Sequence, residues 1–249
     1  MQSAFDIEIQ LLLEAIYLRF HYDFRHYAMA SMRRRVRQAM SVLGCQTVSA
    51  LQDRLLHEPE LFGQLLRFLT VQVSEMFRDA DFFRELRQRI VPILSTYPSL
   101  KVWIAGCSSG EELYSLAILF REEGLFDRTL FYATDINAAA LRQAESGIYS
   151  ADRVAGFSTA YLSAGGHGSL SQYYQAAYGS VVFDRSLVKR AVFSDHSLAT
   201  DSVFAEVHLI TCRNVLIYFD RALQDRAIGL FADSLVRRGF LGLGSRESL

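Results

Sequence analysis

From Asp79 onward, short apolar runs alternate with stretches of helical periodicity, and this alternation constrains the fold more than any other feature of the chain. The runs are Lys101–Ala105 (KVWIA), Leu130–Thr134, a weak one at Val192–Phe193, Val207–Cys212 and Phe240–Gly244, with helical stretches near 111–123, 137–146 and 220–237. Runs apolar on successive residues, rather than on every second one, suit strands buried on both faces. Strand and helix in alternation build a parallel sheet with helices on both of its sides. Ala80 to Leu94 reads as a further helix, closed off by Pro98 before the first strand.

The front of the chain is different: nothing before Thr70 reads as a strand. Phe5, Ile9, Leu12, Leu13, Ile16 and Phe20 recur at helical spacing. A second helix, with Ser31 as its expected N-cap and Gly44 at its close, carries Arg33, Arg34, Arg35 and Arg37, and no acid occurs between Phe24 and Gly44. Two more helices are expected at 47–57 and 59–69. The pattern therefore predicts a helical domain over 1–75 and an α/β domain over 76–249. Between about 150 and 186 a Gly-, Ser- and Tyr-rich stretch (GGHGSLSQYYQAAYGS) is irregular by pattern, a length that marks an inserted subdomain or a mobile loop.

Composition narrows the class. Of 249 residues, 51% are apolar and 21% charged, which is a globular balance with material for a core. No apolar run approaches the roughly 20 residues of a membrane-spanning helix, so no membrane insertion is expected. The start, MQSAFDIEIQ, places acids where a signal peptide would be basic, and the expectation is a cytoplasmic protein. Cys45, Cys107 and Cys212 form no CxxC pair and read as reduced, buried thiols. The six histidines lack metal-ligand spacing, so no metal is expected. The net charge of -1 conceals the basic face of the second helix. With about five cations and no interleaved aromatics, that face does not point to nucleic acid.

The local chemistry concentrates at three places that the topology brings to one edge of the sheet. The first is Lys101-Val-Trp-Ile-Ala-Gly-Cys-Ser-Ser-Gly-Glu-Glu112, a strand ending in a small-residue loop that opens a helix. Ligands of open α/β sheets bind at such carboxyl ends, and Gly106 and Gly110 permit close backbone approach. Glu111 and Glu112 would repel a pyrophosphate at the helix start, whereas S-adenosylmethionine brings a sulfonium and an ammonium. The same glutamates also complement the helix dipole. The second is Asp135, at the end of Phe131-Tyr-Ala-Thr-Asp-Ile136, placed to accept ribose hydroxyls or to cap the 137–146 helix. The third is Arg213-Asn214, directly after a strand.

Together with Val73-Ser-Glu-Met-Phe-Arg78, Tyr114-Ser115, Ser146-Gly-Ile-Tyr149 and Cys212-Arg-Asn-Val-Leu-Ile-Tyr218, these motifs make the chain resemble the CheR-type chemotaxis receptor methyltransferases, from the Arg-rich second helix to the closing Gly-Ser-Arg-Glu-Ser. The resemblance implies a Rossmann-like S-adenosylmethionine-dependent methyltransferase sheet, a small N-terminal all-helical domain and an inserted small β-subdomain. It implies methyl transfer to glutamate side chains of the chemoreceptor cytoplasmic domain, with S-adenosylhomocysteine as product and a monomeric enzyme. A regulatory module that binds the same cofactor with little catalysis would carry the same motifs.

Carried over by position, cofactor contacts fall on Gln72, Ser74, Arg78, Gly106, Glu112, Asp135, Ser197, Leu198, Arg213 and Asn214. Arg78 and Tyr218 are the expected catalytic residues: Arg78, whose guanidinium matches a carboxylate bidentately, orients the acceptor unless it pairs with Glu75 or Asp79, and the resemblance implies that Tyr218 lines the methyl site unless it packs in the core. Arg33, Arg34 and Arg37 are the implied docking cations for a glutamate-rich helix, unless they form a solvated basic face. The chain departs from the family pattern in Gln72 for Asn, Ser74 for Thr, Leu113 for Pro and Ser197 for Asn. The family's sheet continues past the Gly-x-Ser-Glu motif, so a sheet short of its last strand is expected here.

Overall fold

The computed structural model describes residues 2–249, which divide into two compact units. The first unit runs to Val71 and also takes in Ser197–Ser202 and Val215–Leu230. Spacing alone puts this boundary near residue 75 and gives no sign of the two later segments.

Helix α1 (Ala4–Phe20) starts where the Ser3 hydroxyl accepts from the Asp6 N–H, and its Ile9, Leu12, Leu13 and Ile16 are buried. Helix α2 (Met29–Leu43) begins two residues before the expected Ser31 cap, and Ala28, at its N-cap, supplies no side-chain bond. The start is fixed from a distance instead: the Ala28 N–H donates to the Tyr218 carbonyl (2.8 Å), and Tyr27 bridges Phe219. Gly44, at φ 70°, closes α2 as the sequence predicts. Helix α3 (Val48–His57) is capped by Thr47, and α4 (Leu61–Leu69) buries Leu61, Phe62, Leu65, Leu66 and Leu69.

The second unit opens with α5 (Ala80–Glu85), a π turn (Leu86–Ile90) and α6 (Val91–Leu94). The expected single helix is thus interrupted before Pro92, which has no N–H to continue the ladder. Strands β1 (Leu100–Ala105) and β2 (Thr129–Asp135) enclose α7 (Glu111–Glu122), and α8 (Ala138–Ser146) follows. After the insertion come β6 (Ala191–Asp195), β7 (Val207–Cys212), α10 (Arg221–Ser234) and β8 (Leu235–Leu243). The sheet is parallel throughout in the order β6-β2-β1-β7-β8, so the weak Val192–Phe193 run is a true strand, and β8 is an edge. Strand β8 starts five residues earlier than its apolar run, because Arg237 and Arg238 break the pattern and the register shifts opposite Val207 and Leu209.

The 150–186 stretch is more regular than its composition suggests. It holds α9 (Val154–Ser163) and the hairpin β4 (Tyr174–Ala177) to β5 (Ser180–Phe183), which pairs with β3 (Ile148–Ser150) in an antiparallel sheet of order β3-β5-β4. The hairpin turns on Tyr178 and Gly179, both at positive φ (52° and 77°), as two-residue hairpin loops of the primed type require. A tyrosine in that role hides the turn from a sequence pattern. Glu122 anchors this subdomain: it accepts from the Tyr161 and Tyr173 hydroxyls and pairs with Arg87 (2.7 Å).

Gly147 closes α8 at φ 65°, and a methyl group there would run into the Tyr114 hydroxyl. Gly147→Ala is expected to lower stability by about 1–3 kcal/mol, read from the urea midpoint. Tyr114→Phe in the same background should restore part of the loss; no recovery would mean that the positive φ carries the whole cost.

Candidate active site

The carboxyl ends of β1, β2 and β7 converge with the segment Gln72–Asp79, all within the second unit. After β1 the chain turns sharply, with Gly106 at φ 74°, Ser108 at 51° and Gly110 at 93°. The Gly106 and Cys107 N–H groups both donate to the Thr134 carbonyl (2.8 and 2.9 Å), so the loop hangs on the neighbouring strand. Gly110 lies against α8, where a Cβ would come within 2.7 Å of the Ala144 Cβ. The buried Tyr149 hydroxyl donates to the Ser109 carbonyl (2.7 Å). Among the described residues, seven non-glycines have positive φ, and Phe77, Asp79, Ser108 and Asn214 all fall in these converging loops. Such strain persists only where surrounding structure enforces it, and it clusters at functional sites.

Asp135 is 8% exposed, and each oxygen accepts one backbone N–H: Ser108 to Oδ2 and Asn137 to Oδ1, both at 2.9 Å. Burial pushes its pKa up, against the pull of those two bonds. Asp135 is not the cap of α8; Asn137 is, accepting from the Ala139 and Ala140 N–H groups. The carboxylate is therefore tied to the loop, with the Ile136 N–H a further backbone partner, and it keeps lone-pair capacity beyond these bonds.

The two glutamates separate in role. Glu111 is fully buried and committed, its oxygens holding Arg153 and the Ser109 hydroxyl, each at 2.7 Å. Arg153 is a partner that the sequence pattern misses, because it sits 42 positions away inside the insertion. Glu112 pairs by Oε2 with Arg213 (3.3 Å), while its Oε1 is buried without a partner. A buried acceptor left open beside a glycine loop suits an ammonium donor, so the residues present fit S-adenosylmethionine.

The side chain of Arg213 is 1% exposed and works as a tie: besides Glu112 it donates to the Arg78 carbonyl (2.8 Å) and Asp79 (2.9 Å), over the Phe82 ring at 4.2 Å. Asp79 thus pairs with Arg213 and not with Arg78. The Arg78 side chain is half-buried and makes no hydrogen bond or ion pair among the described residues. Gln72 accepts from the Ser108 hydroxyl (2.8 Å), and the Ser74 carbonyl accepts from Arg153. Asn214, at φ 61°, donates its N–H to Glu247 (2.8 Å), which also takes the Gly244 N–H. Cys107 and Cys212 are buried, and burial raises both thiols far from reactivity.

The other sequence-predicted residues belong to the first unit. Leu198 is buried, and Ser197 accepts from the Ala199 N–H (3.3 Å). Tyr218 stacks on Arg35, whose guanidinium lies 4.4 Å from the ring centre and donates to the Leu69 carbonyl. Within the basic helix, Arg33 pairs with Asp6 (2.5 Å), Arg37 covers Phe5 at 4.6 Å, and Arg34 is exposed without an acidic partner among the described residues.

Residues 72–249 match the family model described as CheR methyltransferase, SAM binding domain, and residues 7–70 match the CheR methyltransferase all-alpha domain. A Pseudomonas putida protein that bears the name "Putative methyltransferase Cher3" is 58% identical over 244 residues, covering 98% of this chain and 89% of its own length. A chemotaxis protein methyltransferase of Listeria innocua is 30% identical over 234 residues (91% of this chain, 84% of that protein). Another, of Borreliella burgdorferi, is 28% identical over 204 residues (75% and 68%).

The contrast between the glutamates is measurable. Glu111→Gln leaves Arg153 facing a neutral, fully buried partner and should cost about 2–4 kcal/mol of unfolding free energy, whereas Glu112→Gln, with Arg213 still held by Asp79, should cost about 1 kcal/mol or less. Equal losses in urea titrations would contradict this division of labour.

Proposed function

The chain belongs to the CheR methyltransferase family, and we propose that it transfers the methyl group of S-adenosylmethionine to glutamate side chains on the cytoplasmic domain of a methyl-accepting chemoreceptor. The observation that carries the reading is the pairing of an open buried acceptor, Glu112 Oε1, with the clasped Asp135 across a loop of small residues. In this reading Asp135 accepts the ribose hydroxyls and Glu112 takes the α-ammonium. Gln72, Ser74, Gly106, Arg213 and Asn214 shape the walls around them. When bound, the cofactor supplies a methyl group on a sulfonium.

An acceptor glutamate, with a pKa near ~4.3, is already ionised at neutral pH, so no general base is required. What the protein contributes is alignment of carboxylate oxygen, methyl carbon and sulfur, which can be worth roughly 7–11 kcal/mol in favourable cases. Arg78, with no carboxylate partner among the described residues, is the group we assign to orient the acceptor, since a guanidinium meets a carboxylate through two parallel bonds. Tyr218, Ser197 and Leu198 take their roles at the methyl group and the cofactor from the family pattern. Arg34 is the docking cation that the structure leaves most available, while Arg33 and Arg37 are engaged within their own unit. The enzyme acts as a cytoplasmic monomer.

The decisive assay is transfer of labelled methyl to a receptor cytoplasmic fragment, with release of the label by base. Tight binding of S-adenosylhomocysteine without base-labile incorporation would instead support a regulatory module. Asp135→Ala should weaken S-adenosylhomocysteine at least ~10-fold at neutral pH, by calorimetry. Because burial raises the Asp135 pKa, the wild-type affinity should fall on acidification, and do so at a higher pH than an ordinary aspartate would give. Arg34→Glu should raise KM for receptor while leaving cofactor affinity unchanged; an unaltered KM would remove the docking role.

A further inference from the structure

A second cavity lies at the opposite ends of the same strands. About 390 Å3 in volume, it is lined by Arg121, Gly124, Phe126, Asp127, Ser186 and Lys189. Arg121 sits in the last turn of α7, Phe126 just before β2, and Lys189 just before β6. Phe126 and Lys189 thus mark the amino-terminal ends of β2 and β6, and the carboxyl end of β2 carries Asp135, so the cavity is topologically separate from the cofactor loops.

Two cations share its floor. The Arg121 guanidinium carbon lies 4.6 Å from the centre of the Phe126 ring, and the Lys189 ammonium lies 5.7 Å from the same ring. Arg121 is half-buried; among the described residues it donates to the Ser186 hydroxyl (3.0 Å), and its charge is felt by the nearby Asp184 carboxylate without a direct ion pair. Among the described residues Lys189 pairs with Asp127, at 3.5 Å, and that carboxylate is 87% exposed, where solvent screens it strongly. Arg185 and Arg190 flank Lys189, and no acid falls between Arg185 and Arg190. A forked donor and a point charge lining one open cleft match the two negative charges of a phosphate better than the single charge of a carboxylate. The volume falls within the range of small-ligand pockets.

We propose that this cavity is a binding site for an organic phosphate, with the phosphate group held between Arg121 and Lys189. Ligand there would contact the end of α7, the helix whose first turn carries Glu111 and Glu112.

The test is calorimetric titration of the full chain with ADP and with inorganic phosphate, at low salt, alongside Lys189→Gln and Arg121→Gln. Both probes should bind saturably, and each substitution should weaken them roughly tenfold, the loss expected for one charge-assisted contact. S-adenosylhomocysteine affinity should stay at the wild-type level in both variants, which verifies that they are folded and that the two sites are distinct. No saturable binding of either probe, binding that survives both substitutions, or competition of ADP with S-adenosylhomocysteine would each overturn the proposal. Tighter binding of a polyglutamate peptide than of ADP would also overturn it, in favour of an acidic protein partner.

Discussion

The arrangement of the second unit depends on one buried guanidinium. Arg213 arrives at the end of β7 and reaches the Arg78 carbonyl, Asp79 and Glu112 at once, so a single side chain fixes the segment after Gln72, the start of α7 and the edge of the sheet. Burial of such a charge is tolerable because its partners share it: with one acid neutralised the other contacts still hold it, whereas a buried charge left with no partner typically costs about 3–5 kcal/mol. The positive φ angles of Phe77, Asp79, Ser108 and Asn214 gather around this tie, and its hydrogen bonds are among those that can hold them. Glu112 owes its open acceptor to the same contact: with Oε2 drawn to Arg213, Oε1 is left buried without a partner among the described residues.

Much of this was legible in the sequence because the governing patterns are local. Apolar runs marked β1, β2 and β7 to within a residue, and Gly44 closed its helix where a left-handed residue was needed. The loop Gly106–Gly110 and Asp135 were recognisable because a strand, a turn and a helix start are contiguous in the chain. What escaped notice was non-local. The α2 start is set by the Tyr218 carbonyl, roughly two hundred residues away, and not by the nearby Ser31. Glu111 looked equivalent to Glu112 until Arg153, from the insertion, was found to occupy it.

The basic helix shows the same limit. Its four arginines are alike on paper, but the fold gives each a different neighbour: Asp6 for Arg33, solvent for Arg34, Tyr218 and a carbonyl for Arg35, and Phe5 for Arg37. A run of like charges therefore reports the sign of a face but not how many of its members are available to a partner. The Gly-, Ser- and Tyr-rich insertion errs the other way, since its hairpin turn uses a tyrosine at positive φ and only Val181 and Phe183 of β5 are buried.

Glu122 ends the helix that Glu111 and Glu112 begin, about 16 Å away at 1.5 Å per residue. Its grip on Tyr161 and Tyr173 makes α7 a stiff beam loaded at both ends, with the inserted sheet at one and the acidic turn at the other. The two tyrosines of the insertion are yoked to the geometry of the turn, and a graft of this subdomain onto another scaffold would have to bring its own carboxylate counterweight.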